Sequence, residues 1–77
     1  MDKELDKRLK LMIGEAIRIE RERNGFTQAI LAEESGLHHN FIGLIERGEK
    51  TLTVISLHKI CLALGIGMSD LLQQIKL

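Results

Sequence analysis

Between His38 and Lys50 the chain reads HHNFIGLIERGEK. If this stretch is helical, at about 100° per residue, His39, Gly43, Arg47, Asn40 and Leu44 share an arc of about 140°. Ile42, Ile45 and His38 fall on the opposite side, with Glu46 at its margin. One face is therefore apolar and can pack. The other carries hydrogen-bonding groups, a bare glycine and a cation, which suits recognition better than catalysis. Asn40 can donate and accept at once along an adenine edge in a DNA major groove, His39 can donate to guanine, and Leu44 can touch a thymine methyl. Gly43 costs about 1 kcal/mol of helix stability relative to alanine, and in exchange permits close approach at the groove edge.

Several elements must hold that face in place. Leu5, Leu9, Met12, Ile13, Ala16 and Ile17 recur at three- and four-residue steps, predicting an amphipathic helix over about 5–24 that ends at Asn24-Gly25. Thr27 is a natural N-cap for a second helix over about 28–34. The SGL at 35–37 predicts a tight turn at Gly36 before the third helix, about 38–47, which Gly48 closes. Two helices joined by such a turn form a helix-turn-helix. Thr51 or Thr53 caps a fourth helix with a Leu57, Ile60, Cys61, Leu64 stripe, and a short fifth helix covers 68–75 with Asp70 near its N-terminal end. The expected fold is all-α, a five-helix bundle in one domain over 1–77. The helix-turn-helix lies at about 28–47 and a dimerisation region at about 53–77.

The chain has 77 residues, 44% of them hydrophobic, with a single cysteine. A chain this short buries only about 60–65% of its unfolded surface. One cysteine allows no internal disulfide, so a second subunit is the expected source of further buried area. Eleven basic residues balance eleven acidic ones. Net charge thus gives no support for nucleic-acid binding, which must come from the placement of charges. No apolar run is long enough to cross a membrane. The charged start, MDKELDKRLK, lacks a signal-peptide core, giving a cytoplasmic expectation. No nucleophile has a base at useful spacing, and GIG at 65–67 is a helix break rather than a dinucleotide-binding loop, so no enzyme, cofactor or small-molecule ligand is expected. No metal is expected either. Adjacent His38 and His39 diverge on a helix, and His58 with Cys61 lacks further ligands. Cys61 reads as a small buried hydrophobe. The run RIERERNG at 18–25 reads mostly as a solvated face, with Arg21 excepted, and Arg18 and Arg23 serve either phosphate contact or solubility.

The joint pattern Thr27-Gln28, Leu31-Ala32, Gly36-Leu37, Ile42, Ile45-Glu46-Arg47-Gly48 resembles the Cro/phage-repressor (XRE-like) helix-turn-helix family over roughly residues 12–75. Within that family, residues 36–66 look most like controller proteins of bacterial restriction–modification systems. The resemblance implies a DNA-binding transcriptional regulator with the third helix as reader. Its base-facing positions are His39, Asn40, Gly43 and Leu44. Thr27, Gln28, His38, Phe41, Arg47 and Lys50 are expected at the phosphate backbone, Gln28 as the family's phosphate contact. Arg21 and Glu46 match a family salt bridge between the first and third helices. Phe41 stands where tyrosine is more frequent, His39 where arginine is, Lys50 where arginine is, and Thr51 where asparagine is. Ile30 occupies a position the family usually exposes with a polar residue.

Leu71, Leu72, Ile75 and Leu77 crowd the last seven residues. We expect Val54, Ile55, His58, Leu72 and Ile75 to form an isologous dimer patch. The partners expected are double-stranded DNA, a second copy and, in recruitment, RNA polymerase. The alternative is an antitoxin or interaction module that neutralises a partner protein. A disordered tail would favour it, and none is read after Leu77.

Overall fold

The computed structural model describes residues 2–76, and places five helices in chain order: α1 Lys3–Arg23, α2 Gln28–Ser35, α3 His39–Glu46, α4 Val54–Leu64 and α5 Met68–Leu72. Leu77 lies outside the described residues.

The first helix starts earlier than its apolar stripe predicts. The Asp2 carboxylate accepts from the N–H groups of Glu4 (3.0 Å) and Leu5 (3.3 Å), satisfying two free donors of the first turn. Thr27 and Thr53 cap α2 and α4 through hydrogen bonds from the N–H groups of Ile30 (3.1 Å) and Ser56 (3.0 Å). The fifth helix stops at Leu72, short of the expected Ile75. The first four helices share one ending. In α1, Gly25 N–H donates to Glu22 O and Phe26 N–H to Arg21 O. The same pair of bonds recurs at Gly36–Leu37, Gly48–Glu49 and Gly65–Ile66. Each is a Schellman motif, which needs a residue at positive φ, and glycine occupies all four positions.

The core is contributed by every helix: Ile17 from α1, Leu31 from α2, Ile42 and Ile45 from α3, Ile60 and Cys61 from α4, and Leu71 from α5. Burial pushes the Cys61 thiol up from its ordinary value, in keeping with an inert packing role. Gly14 sets the spacing between α1 and α3. A Cβ built there would lie 2.3 Å from the Ile45 carbonyl oxygen and 2.8 Å from that of Glu46. Its role is close helix–helix approach.

Glu20 departs from the solvated reading of RIERERNG. It is 8% exposed, and its Oε1 accepts from Arg23 Nη1 (2.7 Å) and Gln74 Nε2 (2.9 Å). The carboxylate ties α1 to the segment after α5. Arg18 is braced on the exposed side by Glu15 and by Glu22 (3.1 Å).

Gly14→Ala is expected to destabilise the fold by about 1–3 kcal/mol, because the added methyl collides with backbone that has little room to move. The gain in helix propensity, about 1 kcal/mol, is too small to offset it. At about 4–8 °C per kcal/mol for a domain this size, thermal denaturation would register the change. An unchanged melting temperature would show that α1 and α3 separate freely.

Candidate nucleic-acid interface

The turn from α2 into α3 is made by Gly36 in the left-handed conformation (φ 73°), followed by Leu37, which is half-buried against the core. His38 then caps α3. Its Nδ1 accepts the Asn40 N–H at 3.2 Å. This corrects its expected place on the packing side of the third helix, since a residue one step before the helix does not follow the helical phase. His38 is exposed, and its ring stacks on His39, with centroids 5.1 Å apart and planes 20° from parallel.

From there α3 turns Ile42 and Ile45 into the core and presents the opposite side outward. His39, Asn40, Gly43, Leu44 and Arg47 line one shallow hollow of about 340 Å³, with Gln28 of α2 as its remaining wall. His39, Asn40 and Arg47 are exposed and Leu44 is half-exposed. Gly43 is covered. A Cβ there would meet Arg47 Nη1 at 3.2 Å and Gln28 Oε1 at 3.3 Å, so the glycine makes room for those two side chains.

Beneath the hollow lies Glu46, its side chain 3% exposed. Its carboxylate accepts from Arg21 Nε (2.6 Å) and Nη2 (3.0 Å) in a two-pronged pair, and from Gln28 Nε2 (3.0 Å). Arg21 also donates through Nη1 to the Phe26 carbonyl (2.9 Å). The hydrogen bond to Glu46 raises the Arg21 pKa above its ordinary value, against an opposing contribution from burial. One carboxylate thus joins α1, α2 and α3. Gln28 is a fixed brick in this arrangement: its amide N–H is turned inward on Glu46 and its carbonyl lies over Gly43. The sequence places Gln28 at the helix start, but carries no signal for the bond to Glu46.

The remaining positions expected at a phosphate backbone are dispersed. Thr27 is engaged as a cap, and Phe41 is half-buried against the core. Arg47 Nε pairs with Glu49 Oε2 at 3.0 Å on the open surface. Lys50 lies apart, in a second hollow with Asp6, Lys10 and Thr51 between α1 and the loop after α3. Among the dimer candidates, Val54, Ile55, His58 and Leu72 are exposed, whereas Ile75 is half-buried and packs against the core. Leu62, seven residues after Ile55, is also exposed, at 67%. Among the described residues no group of three or more His, Cys, Asp or Glu could hold a metal ion, and no helix is long and apolar enough to cross a membrane.

The helix-turn-helix family profile matches residues 17–71, which contains the hollow and its carboxylate. The control protein C.SmaI of Serratia marcescens is 38% identical over 64 residues, spanning 83% of this chain and 76% of its own. The chain belongs to the helix-turn-helix family. Its structure is similar to that of the restriction–modification controller protein C.AhdI from Aeromonas hydrophila, with a TM-score of 0.79 and 31% identity over 80% of this chain and 94% of that one. It is also similar to the controller protein C.Esp1396I, solved as a tetramer in complex with its natural 35 base-pair operator. There the TM-score is 0.77 and the identity 31%, over 87% of this chain and 93% of that one. The matched range contains α2 and α3, and the family is one of regulatory domains.

Removing one partner of a buried ion pair strands the other, at about 3–5 kcal/mol. Glu46→Ala is therefore expected to lower the urea midpoint sharply in a domain whose whole stability is about 4–12 kcal/mol. Arg21→Leu/Glu46→Leu together is expected to lose less than the sum of the single variants. Additive losses in urea titrations would rule out the coupling.

Proposed function

We propose that this protein is a sequence-specific double-stranded-DNA-binding transcriptional regulator, acting as a homodimer on a near-palindromic operator and belonging with the restriction–modification controllers. The observation that carries the reading is the single hollow formed by His39, Asn40, Gly43, Leu44 and Arg47 with Gln28, braced from below by Glu46. A side-chain surface presented by a rigid short helix fits a major groove about 12 Å wide. Asn40 and His39 read base edges, Leu44 meets a thymine methyl, and Gly43 keeps the approach open. The start of α2, at Thr27 and Gln28, and the exposed His38 and Arg47 hold the phosphate backbone, with Lys50 and the edge of Phe41 at the periphery. Similarity to a controller protein solved on its operator supports this assignment.

The reaction is occupancy, not bond-making: no catalytic group, cofactor, metal or small-molecule ligand is required. The bound dimer blocks or recruits RNA polymerase, which places its work in the cytoplasm at the DNA. The second copy is held by the segment from residue 53 onward, where Val54, Ile55, Leu62 and Leu72 are exposed apolar side chains (Ile55 at 70%) and His58 is also exposed. Two-fold pairing there sets the two α3 helices about 34 Å apart, one turn of B-DNA.

The operator is first found by selecting bound duplexes from a random pool. On it, Asn40→Ala is expected to lose about 1–3 kcal/mol and to relax preference at one base position. Gln28→Ala is expected to weaken all sequences alike, since it loosens the seat of α3 rather than a base contact. Uniform loss for Asn40→Ala across a gel-shift series would argue against base reading. Ile55→Asp is expected to leave a folded monomer at about 5 µM, because a charge cannot be buried at the two-fold without a partner, and to abolish cooperative binding to the two half-sites. An Ile55→Asp protein that still sediments as a dimer at that concentration would place the interface elsewhere.

A further inference from the structure

The first helix is longer than its own core needs. It runs 21 residues, about 32 Å at 1.5 Å per residue, and matches the 34 Å long axis of the molecule. Residues 2–8 are all exposed, ahead of the family match that begins at residue 17. Two helical turns so largely exposed are marginal in water. Yet Leu5, Met12 and Ile19 repeat at seven-residue steps, and Leu9 and Ala16 repeat beside them, which is the spacing of a helix seam. Leu5 is 42% exposed, Met12 and Ile19 are only half-covered, and Met12, Ala16 and Ile19 line an open groove of about 490 Å³ whose far wall is Gln74–Lys76.

We propose that this face of α1 is a second self-association surface, occupied by α1 of another copy running antiparallel. Charge placement decides the occupant. With Met12 at the two-fold, Leu5 lies opposite the partner's Ile19, and Arg8 on the flank of the seam lies opposite the partner's Glu15. The pair then recurs by symmetry. Arg8 makes no ion pair among the described residues, while Glu15 is exposed and bonded only to Arg18. A parallel arrangement would set Arg8 against the partner's Ile13 and Glu15 against the partner's Glu20, so only the antiparallel one joins the two opposite charges.

A single helix pair buries on the order of 1,000 Å² in total, at the weak end of specific contacts, and we set its dissociation constant on the order of 100 µM. In dilute solution the surface is open. Copies held side by side on one DNA face each other at effective concentrations of about 1 mM or more, enough to close it. The α1 contact therefore joins neighbouring DNA-bound dimers. The pairing itself rests neither on α3 as a DNA reader nor on the α4 surface.

The test uses Ile55→Asp protein, in which the α4 patch is disabled, and sedimentation equilibrium without DNA up to about 500 µM, several times the expected dissociation constant. Substantial dimer is expected at the top of that range. Adding Arg8→Glu is expected to raise the dissociation constant about tenfold, since each symmetric contact turns from attraction to repulsion. Adding Arg8→Glu with Glu15→Arg is expected to restore it to within about threefold. Circular dichroism confirms that each variant folds. Ile55→Asp protein that stays monomeric throughout, an Arg8→Glu variant that associates unchanged, or a double reversal that fails to restore association would each overturn the proposal. Should the α4 patch not be the main interface, wild-type and Ile55→Asp proteins would behave alike while the charge reversals still separated. The two readings therefore fail independently.

Discussion

The carboxylate of Glu46 is the point on which the geometry of this small protein turns. It takes three hydrogen bonds, two from Arg21 and one from Gln28, and is almost wholly shielded from water. A buried carboxylate without partners would cost several kcal/mol, so helices α1, α2 and α3 are held to one mutual arrangement in which all three donors reach it. An apolar core alone would tolerate small slips of α3 along its axis. The network does not, because a slip of one residue would move Glu46 out of reach. Gly14 acts in the same sense from the steric side, since it lets α1 approach the end of α3 closely enough for Arg21 to make a two-pronged contact.

This division of labour explains what could be read from the chain in advance. Helices were legible because their boundaries are local chemistry: Thr27 and Thr53 cap, and Gly25, Gly36, Gly48 and Gly65 each stand where a left-handed residue is needed. The stripe Leu57, Ile60, Cys61, Leu64 faces inward as its spacing requires. The start of α1 was missed because Asp2 caps a stretch with no apolar residue before Leu5, and the end of α5 because Gln73 and Gln74 are good helix formers that the fold uses in a turn.

The outward face of α3 was also legible, since helical phase alone gathers His39, Asn40, Gly43, Leu44 and Arg47. The underside was less so. The Arg21–Glu46 pair came from resemblance to a family, and the participation of Gln28 from nothing in the sequence. A glutamine at the first position of a helix has no distinctive signal for an inward bond to a residue 18 positions on. Glu20 was hidden for a similar reason. Inside RIERERNG it has the same local surroundings as its solvated neighbours, and only the return of the chain at Gln74 distinguishes it. Helical phase puts His38 on the wrong side because a helical wheel has no meaning for a cap residue.

The balance of charge bears on how such a domain finds its site. Eleven cations against eleven anions give little long-range attraction to a polyanion. Sequence-independent binding to DNA scales with the number of phosphates neutralised, and here several cations are already committed within the protein: Arg21 to Glu46, Arg18 to Glu15 and Glu22, and Arg23 to Glu20. What matters in a cell is the ratio of specific to non-specific affinity, weighed against a vast excess of wrong sites. A chain with no net charge loses affinity on both counts, but loses more of the non-specific part, because hydrogen bonds and methyl contacts at the base edges do not depend on net charge. On the self-association proposed above, the affinity forgone is recovered by multiplicity. Each weak contact between copies makes the next binding event intramolecular, so occupancy rises steeply with the concentration of the protein rather than in proportion to it. A modest, neutral domain with the self-associating faces proposed above would therefore suit a threshold response, and the rigid seat beneath α3 would present the same reading surface in every added copy.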